Sequence, residues 1–398
     1  MRLDRIEIQN FRSYRHARLD LAPGLTVLVG ANGSGKTNLL EAVGYLARLS
    51  SFRGAPPEAL VRVAVEGNSA DGVGDRDNDD GCVAVIRGFG EDGSRRIEIE
   101  TEIAVGRRNR TLVNKQPLGR VGELARSFSV SVFSPDDLIL VKGGPGERRT
   151  YLDELIARLH PRNERVLGDF DRILRQRNAL LKQSAGRLDA SGALTLDVWD
   201  AKLASVGDEV ARLRSDLVRR LGPMVEQAYG DIADRPASVS LATRASWSGD
   251  LADALASGRN DDVRRGVSLL GPHRDDVEAR IEHRPSRTHA SQGEQRTLSL
   301  SLRLAGHRLV ADELEATPLL LLDDVFSELD PVRSDALIRH LPAGQALLAT
   351  AGMLPGAATA ELVYAVARGT DLCSSLAVDK PGETVDSKRA EHLRRFGA

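Results

Sequence analysis

Hydrophobic and polar residues alternate near the start of the chain, as they do in strands with one buried face. An imperfect alternation over residues 3–11 predicts a first strand. The run LTVLVG, residues 25–30, is apolar up to its glycine and predicts a strand that is buried on both faces. Apolar residues at helical spacing then predict a helix from about residue 36 to residue 49, with a buried stripe formed by Leu39, Leu40, Val43 and Leu46.

Further alternating segments follow and are separated by turn residues. CVAVIR, RRIEIETEIAV and NRTLVN predict antiparallel strands, and SVSVFS predicts another strand. Ahead of them, the segment GNSADGVGDRDNDDG is acidic and rich in glycine. We therefore expect a mobile loop near residues 69–81.

The pattern becomes helical and charged from Glu147 to about Tyr229. Two apolar stripes at helical spacing predict buried faces, one formed by Leu152, Leu155, Ile156 and Leu159 and the other by Phe170, Ile173, Leu174 and Leu180. Extended segments are then predicted in RPASVSLATRASWS and DDVEARIEH. A helix is predicted after SQGEQR, and two short buried strands in PLLLLDD and QALLAT.

This order of elements predicts an α/β protein in which one nucleotide-binding domain is split by a helical insertion. The predicted boundaries place the first part of the domain at residues 1–146, the helical insertion at 147–265, and the second part with a tail at 266–398. We find no internal repeat.

Composition narrows the possible classes of function. The 398 residues are 41% hydrophobic, which is ample for a large core, and the formal net charge is -2, so any DNA site must be a local basic patch. Cys82 and Cys373 are the only cysteines, and their spacing predicts neither a zinc site nor a disulfide framework. The charged first residues do not resemble a signal peptide, and no apolar run is long enough to span a membrane. We expect a soluble cytoplasmic protein without a membrane partner.

The strongest chemical motif is GANGSGKT, which matches the phosphate-binding P-loop at every position between a predicted buried strand and an amphipathic helix. Its residues are Gly30, Ala31, Asn32, Gly33, Ser34, Gly35, Lys36 and Thr37. Lys36 would reach the β- and γ-phosphates of ATP, and Thr37 would bind Mg²⁺. The alternative is a glycine-rich turn with an incidental lysine.

A pair of acids follows the predicted strand in PLLLLDDVFSELD. Ligand sites of α/β sheets lie at the carboxyl ends of the strands, where Asp323 could hold Mg²⁺ and Asp324 could orient the attacking water. The alternative is that the two acids only solvate the end of a strand.

The stretch SQGEQR opens the predicted late helix. Ser291 is a good N-cap, and Glu294 three residues later completes a capping box. The same helix N-terminus favours an anion, so the segment could also bind phosphate. A simple cap is the alternative.

Together these motifs resemble the ABC ATPase superfamily. Ser291, Gln292 and Gly293 resemble its signature loop, and SELD, which ends at Asp330, resembles its D-loop. The resemblance implies two ATPase heads packed head to tail, each signature loop contacting the γ-phosphate of ATP that is held by the opposite P-loop.

Longer strings resemble the RecF family within the SMC/Rad50-like branch. They are IEIQNFRSYRHARLDLAPGLTVLVGANGSGKTNLLEAV, FSPDDLILVKGGPGERRTYLD, LLGPHRDD, SQGEQRTLSLSLRLA and LLLLDDVFSELD, in the family's order over about residues 1–350. The implied fold is an ABC-type P-loop ATPase head with an antiparallel β lobe and a short inserted helical arm. Related heads also place the arginine of NFRS on the nucleotide phosphates, which here is Arg12.

The resemblance also implies a function. An ATP-driven homodimer would bind gapped or double-stranded DNA and single-strand/duplex junctions, and would help RecO and RecR to load RecA. ATP with Mg²⁺ would be hydrolysed slowly, with stimulation by DNA. The shorter acid Asp324, in place of the glutamate common among transporters, is compatible with slow turnover.

Basic clusters are the candidates for contacts with DNA phosphates. One predicted hairpin carries Arg107, Arg108, Arg110 and Lys115, and the helical segment carries Arg148, Arg149, Arg172, Arg175 and Arg177. Arginines on helices are also common on ordinary solvated faces. Few aromatic residues lie among them, which favours contacts with duplex backbone over base stacking.

Two rival functions are compatible with parts of the sequence. An ATPase subunit coupled to a membrane transporter would carry a docking groove and ignore DNA, but transporter subunits usually have a histidine where this chain has Thr350. A structural tether of the SMC kind would need long heptad repeats, which are missing here.

Overall fold

The computed structural model describes residues 2–62, 83–93, 95–119, 124, 128–233, 235–369 and 374–379. The acidic segment near residues 69–81 and both cysteines lie outside the described residues. The chain divides into two compact units. The first, here named the head unit, is Met1–Pro135 with Glu315–Ala398, and the second, the arm unit, is Asp136–Leu314. The finer boundaries after residues 146 and 265 stay predictions.

The strands fall mostly in the predicted alternating and apolar segments, whereas those at residues 14–20, 116–117, 284–285, 362–368 and 374–379 were not predicted. In chain order they are β1 Arg2–Phe11, β2 Tyr14–Asp20, β3 Leu25–Val29, β4 Val83–Asp92, β5 Arg95–Ala104, β6 Arg110–Val113, β7 Gln116–Pro117, β8 Val130–Phe133, β9 Val239–Arg244, β10 Asp276–Ile281, β11 Arg284–Pro285, β12 Leu319–Asp323, β13 Ala346–Thr350, β14 Leu362–Arg368 and β15 Ser374–Asp379.

The helices fall partly in the segments with helical spacing, which contain the longest of them, whereas those at residues 57–60, 139–142, 251–265, 286–289 and 331–339 were not predicted from spacing. In chain order they are α1 Lys36–Arg48, α2 Pro57–Leu60, α3 Ile139–Lys142, α4 Pro145–Leu159, α5 Pro161–Gln183, α6 Ala190–Ile232, α7 Leu251–Arg265, α8 Ser286–His289, α9 Gln292–Leu314 and α10 Pro331–Arg339. Short 3₁₀ turns lie at Pro135–Leu138 and Pro272–Arg274. None of the helices in the described part of the chain is both long and apolar enough to cross a membrane.

The head unit contains two sheets. The first is antiparallel in the order β2-β1-β4-β5-β6-β7, and it buries every second side chain of β4 and β5. The second has the order β15-β14-β3-β13-β12-β8, with five parallel strands and antiparallel β15 at one edge. Strand β3 is central and apolar, as predicted for a strand buried on both faces.

Helix α1 joins the two sheets of the head unit through one hydrophobic core. Its predicted stripe is buried, and it shares a core with inward side chains from both sheets, among them Ile6, Ile86, Leu321 and Leu347. The P-loop is therefore anchored at both ends, by a central strand before it and by a fully packed helix after it.

The arm unit is mainly helical and contains the antiparallel sheet β11-β10-β9. The stripe predicted on α4 is confirmed, since Leu152, Leu155, Ile156 and Leu159 are buried in one core with residues of α6 and α9. The stripe predicted on α5 needs a correction at its end. Leu181 is fully buried there, whereas Leu180 is half-buried, because the buried face of α5 continues through Arg177 to Leu181.

Candidate functional site

The P-loop connects β3 to α1 in a conformation that needs glycine at Gly35. This residue has a φ of 111°, a left-handed conformation that residues with a Cβ rarely adopt. A Cβ at this position would lie 2.4 Å from Ser374 Oγ and 2.9 Å from Ser13 Oγ. The loop is therefore held against neighbouring side chains on one side.

Lys36 is buried, and its ammonium group lies along the P-loop. Its Nζ donates hydrogen bonds to the carbonyl oxygens of Gly30 at 2.9 Å and Ala31 at 2.8 Å. Burial lowers the pKa of Lys36, and the charges of Asp324 and Asp323 partly oppose this effect. A buried cation that bonds only to carbonyls among the described residues suits a loop that receives phosphate.

Thr37 and Asp323 meet although 286 residues separate them in sequence. Thr37 Oγ1 donates a hydrogen bond of 2.8 Å to Asp323 Oδ1, at the carboxyl end of β12. Burial raises the pKa of Asp323, while the bond from Thr37 and the charge of Arg53 lower it. A hydroxyl and a carboxylate oxygen side by side are ligands that Mg²⁺ prefers, so this pair could hold the ion.

Asp324 has a hydrogen-bonded backbone and, among the described residues, a carboxylate oxygen without a hydrogen-bond partner. Its amide donates to the carbonyl of Ala349, and its own carbonyl accepts hydrogen bonds from the amide and the hydroxyl of Ser327. Among the described residues, the buried Oδ1 of Asp324 and the buried Oγ of Ser34 have no hydrogen-bond partner. These unused polar atoms beside Lys36 and Asp323 fit a bound nucleotide phosphate with Mg²⁺ and water.

Arg12 lies next to the P-loop region but is engaged in another contact. Its guanidinium donates to both carboxylate oxygens of Glu41 at 2.7 and 2.8 Å and to the carbonyl of Ala59 at 3.0 Å. Glu41 is completely buried. The following residues Ser13 and Tyr14 reach α1 and the P-loop directly. A role of Arg12 on the phosphates therefore stays a prediction that requires Arg12 to release Glu41.

The predicted capping box at the start of α9 is confirmed. The amide of Ser291 donates to Glu294 Oε2 at 2.7 Å, and the amide of Glu294 donates to Ser291 Oγ at 3.3 Å. The buried Gln295 holds the preceding turn by donating to the carbonyls of Ser286 and Arg287. The hydroxyl of Ser291 donates to Glu294 Oε2 at 2.8 Å, so it would have to leave this carboxylate to bind an outside group. Because Ser291 and Gln292 are exposed, the segment can present the positive end of the helix.

The signature-like and D-loop-like segments belong to different compact units. Ser291, Gln292 and Gly293 lie in the arm unit, whereas the P-loop, Asp323 and Asp324 lie in the head unit. Asp330 is also in the head unit, where it caps α10 by accepting a hydrogen bond of 3.0 Å from the amide of Arg333.

The basic clusters differ in what their charges contact. Arg107, Arg108, Arg110 and Lys115 are all exposed around β6, and only Arg107 has an ion pair among the described residues, at 3.2 Å from Glu102. Within the arm unit, Arg148 is bound to both carboxylate oxygens of Asp276. We call Arg107, Arg108, Arg110 and Lys115 the basic hairpin.

The prediction that Arg177 contacts DNA is wrong. Arg177 is completely buried, and its guanidinium donates to Asp200, Asp262 and Ser268 at 2.7 Å each. It cannot reach a phosphate of DNA without unfolding this part of the arm unit. Its position on the buried face of α5, between Ile173 and Leu181, was the signal that could have identified it.

Ser374 is a residue of the P-loop environment that sequence reasoning missed. It lies at the start of β15, is buried, and donates a hydrogen bond of 2.6 Å to the carbonyl of Ser34. A lone serine in the tail carries no motif, so only the fold brings it to the site.

Comparison with known proteins gives consistent matches. A family model described as the RecF/RecN/SMC N terminal domain matches residues 2–347. The DNA replication and repair protein RecF of Streptomyces avermitilis (strain ATCC 31267 / DSM 46492 / JCM 5070 / NBRC 14893 / NCIMB 12804 / NRRL 8165 / MA-4680) is 38% identical over 390 residues, which cover 93% of this chain and 99% of that protein.

Solved structures agree with this match. One of the recombination mediator protein RecF with ATP, in the RecFOR pathway, has a TM-score of 0.81 at 26% identity and covers 94% of this chain and 97% of its own. The Smc head bound to the C-winged helix domain of ScpA has a TM-score of 0.58 at 14% identity, with 98% of this chain and 100% of that chain covered. The predicted fold class, an ABC-type P-loop ATPase head with a β lobe and an inserted helical arm, is confirmed.

Proposed function

The chain belongs to the RecF family, and from that membership we propose that it is an ATP-dependent DNA-binding protein of recombinational DNA repair. Its family supports a role in DNA repair and recombination mediation with ATP, with DNA, RecO and RecR as partners. We further propose that it binds gapped or double-stranded DNA and junctions, helps RecO and RecR to load RecA, and acts in the cytoplasm.

The observation that carries the ATP-dependent part is the contact between Thr37 and Asp323. It brings the P-loop and the end of β12 together, with Lys36 and the unsatisfied Asp324 beside them. Lys36 and the loop amides would hold the phosphates, and Thr37 and Asp323 would hold Mg²⁺. The ion would neutralise charge on the phosphates, and Asp324 would accept a hydrogen bond from the attacking water.

We propose that the second half of each ATP site comes from another copy of the chain. Ser291, Gln292 and Gly293 would contact the γ-phosphate on the partner, and Asp330 would lie at the same interface. The exposure of Ser291 and Gln292 at the N-terminus of a long helix supports this arrangement, because such a terminus attracts anions. Hydrolysis, which we expect to be slow and DNA-stimulated, would then separate the two copies.

Ser291→Arg tests the composite site. The larger side chain would prevent the approach of a partner's phosphate, so ATP-driven dimerisation and turnover should both be lost while ATP still binds to the P-loop. Analytical ultracentrifugation with ATP measures dimerisation, and phosphate release measures turnover. If both persisted in Ser291→Arg, the proposed composite site would be refuted.

The basic hairpin is the best-supported DNA contact. Its cations are exposed and mostly without carboxylate partners among the described residues, so they are available to neutralise phosphates. The rival function, an ATPase subunit of a membrane transporter, is not favoured, since the matches are to RecF and to Smc heads.

The decisive experiment is fluorescence anisotropy of a gapped DNA duplex with Mg²⁺ and either ATP or ADP, repeated across salt concentrations. We expect binding that requires ATP, is lost in Lys36→Ala and weakens as salt rises. If the protein bound no DNA in any nucleotide state at low salt, direct DNA recognition would be excluded and a protein partner would have to bring it to DNA.

A further inference from the structure

Ser374 joins the C-terminal strand β15 to the back of the P-loop through a short hydrogen-bond chain. Its Oγ lies 2.6 Å from the carbonyl oxygen of Ser34 and 2.8 Å from Ser13 Oγ. Ser13 Oγ in turn accepts a hydrogen bond of 2.8 Å from Asn38 Nδ2. The amide of Ser374 also donates to the carbonyl of Ser13 at 2.9 Å.

The direction of each hydrogen bond in this chain follows from the groups involved. The carbonyl of Ser34 can only accept, so the single hydroxyl hydrogen of Ser374 must be donated to it. The hydroxyl of Ser13 must then donate to Ser374, and it accepts from the amide nitrogen of Asn38, which can only donate. The chain thus runs from Asn38 through Ser13 and Ser374 and ends on the P-loop carbonyl.

The orientation of one P-loop peptide follows from this end point. In a planar trans peptide the C=O and the next N–H point in opposite directions. Because the Ser34 carbonyl faces Ser374, the amide of Gly35 must point away from β15. The same side of Gly35 is closed by Ser374 and Ser13, where a Cβ would lie 2.4 and 2.9 Å from their hydroxyl oxygens. Backbone amides of this loop are the groups that cradle phosphate.

We infer that Ser374 is a positioning residue, which fixes the Ser34–Gly35 peptide so that the Gly35 amide is presented to the phosphates of the nucleotide. Nucleotide affinity then depends on the packing of β15, the edge strand of the sheet, against the turn between β1 and β2. This inference rests on the proposed binding of ATP by the P-loop. It adds that ATP binding depends on β15, a strand that carries no recognisable motif.

The strand provides a matched control. Ser375 follows Ser374 directly on β15, but its side chain is exposed, because successive residues of a strand face opposite sides. Replacing each serine by alanine therefore makes the same chemical change on the same strand, once at the P-loop and once in solvent.

The test measures the dissociation constants of ATP and ADP, with Mg²⁺, by isothermal titration calorimetry. Ser374→Ala should weaken both nucleotides about 3- to 10-fold, the effect of losing one orienting hydrogen bond, while Ser375→Ala stays within about twofold of the unmodified protein. Ser374→Cys keeps the shape but is a weak donor and should resemble Ser374→Ala, whereas Ser374→Thr keeps the hydroxyl and should restore most of the affinity.

Two further measurements separate positioning from mere structural support. Denaturant unfolding without nucleotide shows whether each variant is folded at the temperature of the titration. If Ser13→Ala is combined with Ser374→Ala, the double variant should bind ATP no more weakly than Ser374→Ala alone, because both residues act through one chain. A folded Ser374→Ala that binds ATP as tightly as Ser375→Ala would overturn the inference and leave the proposed function intact. An unmodified protein that binds no ATP would overturn both.

Discussion

Buried charges are handled differently in the head unit and in the arm unit. In the arm unit, the fully buried Arg177 is neutralised by Asp200 and Asp262, each at 2.7 Å, and Ser268 accepts a third hydrogen bond, while Arg177 Nη2 has no partner among the described residues. In the head unit, Lys36 is buried against carbonyls only, and Asp324 has a buried carboxylate oxygen without a partner among the described residues.

The difference separates two uses of the same kinds of residue. A buried charge whose partners are all internal holds helices together, and breaking the group leaves an uncompensated charge. A buried charge such as Lys36, which has no ion-pair partner among the described residues, has an environment prepared for another molecule. Neutralisation by internal partners of opposite charge, rather than residue type or burial, therefore distinguishes scaffold from site among these residues.

Removing Arg177 should give the largest effect on stability. Arg177→Met would leave Asp200 and Asp262 buried without their cation, so we expect the free energy of unfolding to fall by about 3–5 kcal/mol. Urea denaturation followed by circular dichroism measures it. Arg175→Met is the matched control on the exposed side of α5 and should change stability by less than about 0.5 kcal/mol. Equal effects of the two variants would contradict the scaffold role.

Low pH should destabilise the arm unit through a buried histidine that has no hydrogen-bond partner in the described part of the chain. His307 on α9 is buried, and neither ring nitrogen has a hydrogen-bond partner among the described residues. Burial first, and then the charges of Arg158 and Arg308, lower the pKa of His307 to about 4. Between an ordinary histidine pKa near 6.5 and this value, the unfolded chain takes up a proton that the folded protein does not.

Stability should therefore fall as the pH is lowered from about 6.5 to about 4, by about 1.4 kcal/mol for each unit of pKa difference. His307→Leu should remove the part of this stability loss that His307 causes. The part caused by His273 should remain, because burial also lowers the pKa of His273 to about 4. Denaturant midpoints at several pH values measure the slope of stability against pH. The exposed His160→Gln is the control, and a His307→Leu slope equal to that of the control would show that His307 does not titrate in this range.

Replacing one aspartate by asparagine in each unit tests the difference between site and scaffold directly. Asp324→Asn keeps the size and tolerates the φ of 50° at this position, and it should reduce ATP turnover about 100-fold with little change in unfolding. Asp262→Asn, which removes one carboxylate from Arg177, should instead lower stability by about 2 kcal/mol and leave turnover per folded molecule unchanged. Phosphate release and urea denaturation on both variants distinguish these outcomes, and the reverse pattern would refute the assignment of scaffold and site.

The smallest effect is expected on DNA affinity, from substitutions in the exposed basic hairpin. Arg108→Ala and Arg110→Ala in the basic hairpin should each make the dependence of log DNA affinity on log salt shallower by about 0.9, the contribution of one phosphate contact. Arg172→Ala in the arm unit is the control, because Arg172 is exposed but paired with Asp169 at 2.8 Å. Anisotropy titrations over salt give the slopes. An unchanged slope in both hairpin variants would move the DNA contact elsewhere.

Local patterns predicted much of this structure. The P-loop, the buried stripe of α1 and the capping box at Ser291 depend on residues close in sequence, so spacing and residue type were enough to find them. The Asp323–Asp324 pair was recognisable because it follows a strongly apolar strand.

Long-range partners could not be predicted in this way. The polar side chains that surround Arg177 are up to 91 residues away in sequence, and Ser374 is 340 residues from the carbonyl that it binds. Nothing in the local composition around these residues marks a pairing, because the contacts arise only when distant helices and strands pack. The arginines of the helical segment therefore looked alike in sequence although their environments differ.

The strand order of the second sheet also sets the order of events during synthesis on the ribosome. Strand β3, which carries the P-loop, pairs with β13 and β14, which leave the ribosome after the whole arm unit. At ordinary translation rates this is roughly 15 to 60 s after β3 has been made. The antiparallel sheet from β1 to β7 and the helices of the arm unit can form in that interval, whereas the nucleotide pocket cannot. A nascent or prematurely terminated chain would thus carry the complete P-loop sequence without the strands that flank β3, and the nucleotide site would be completed only in the last stage of synthesis.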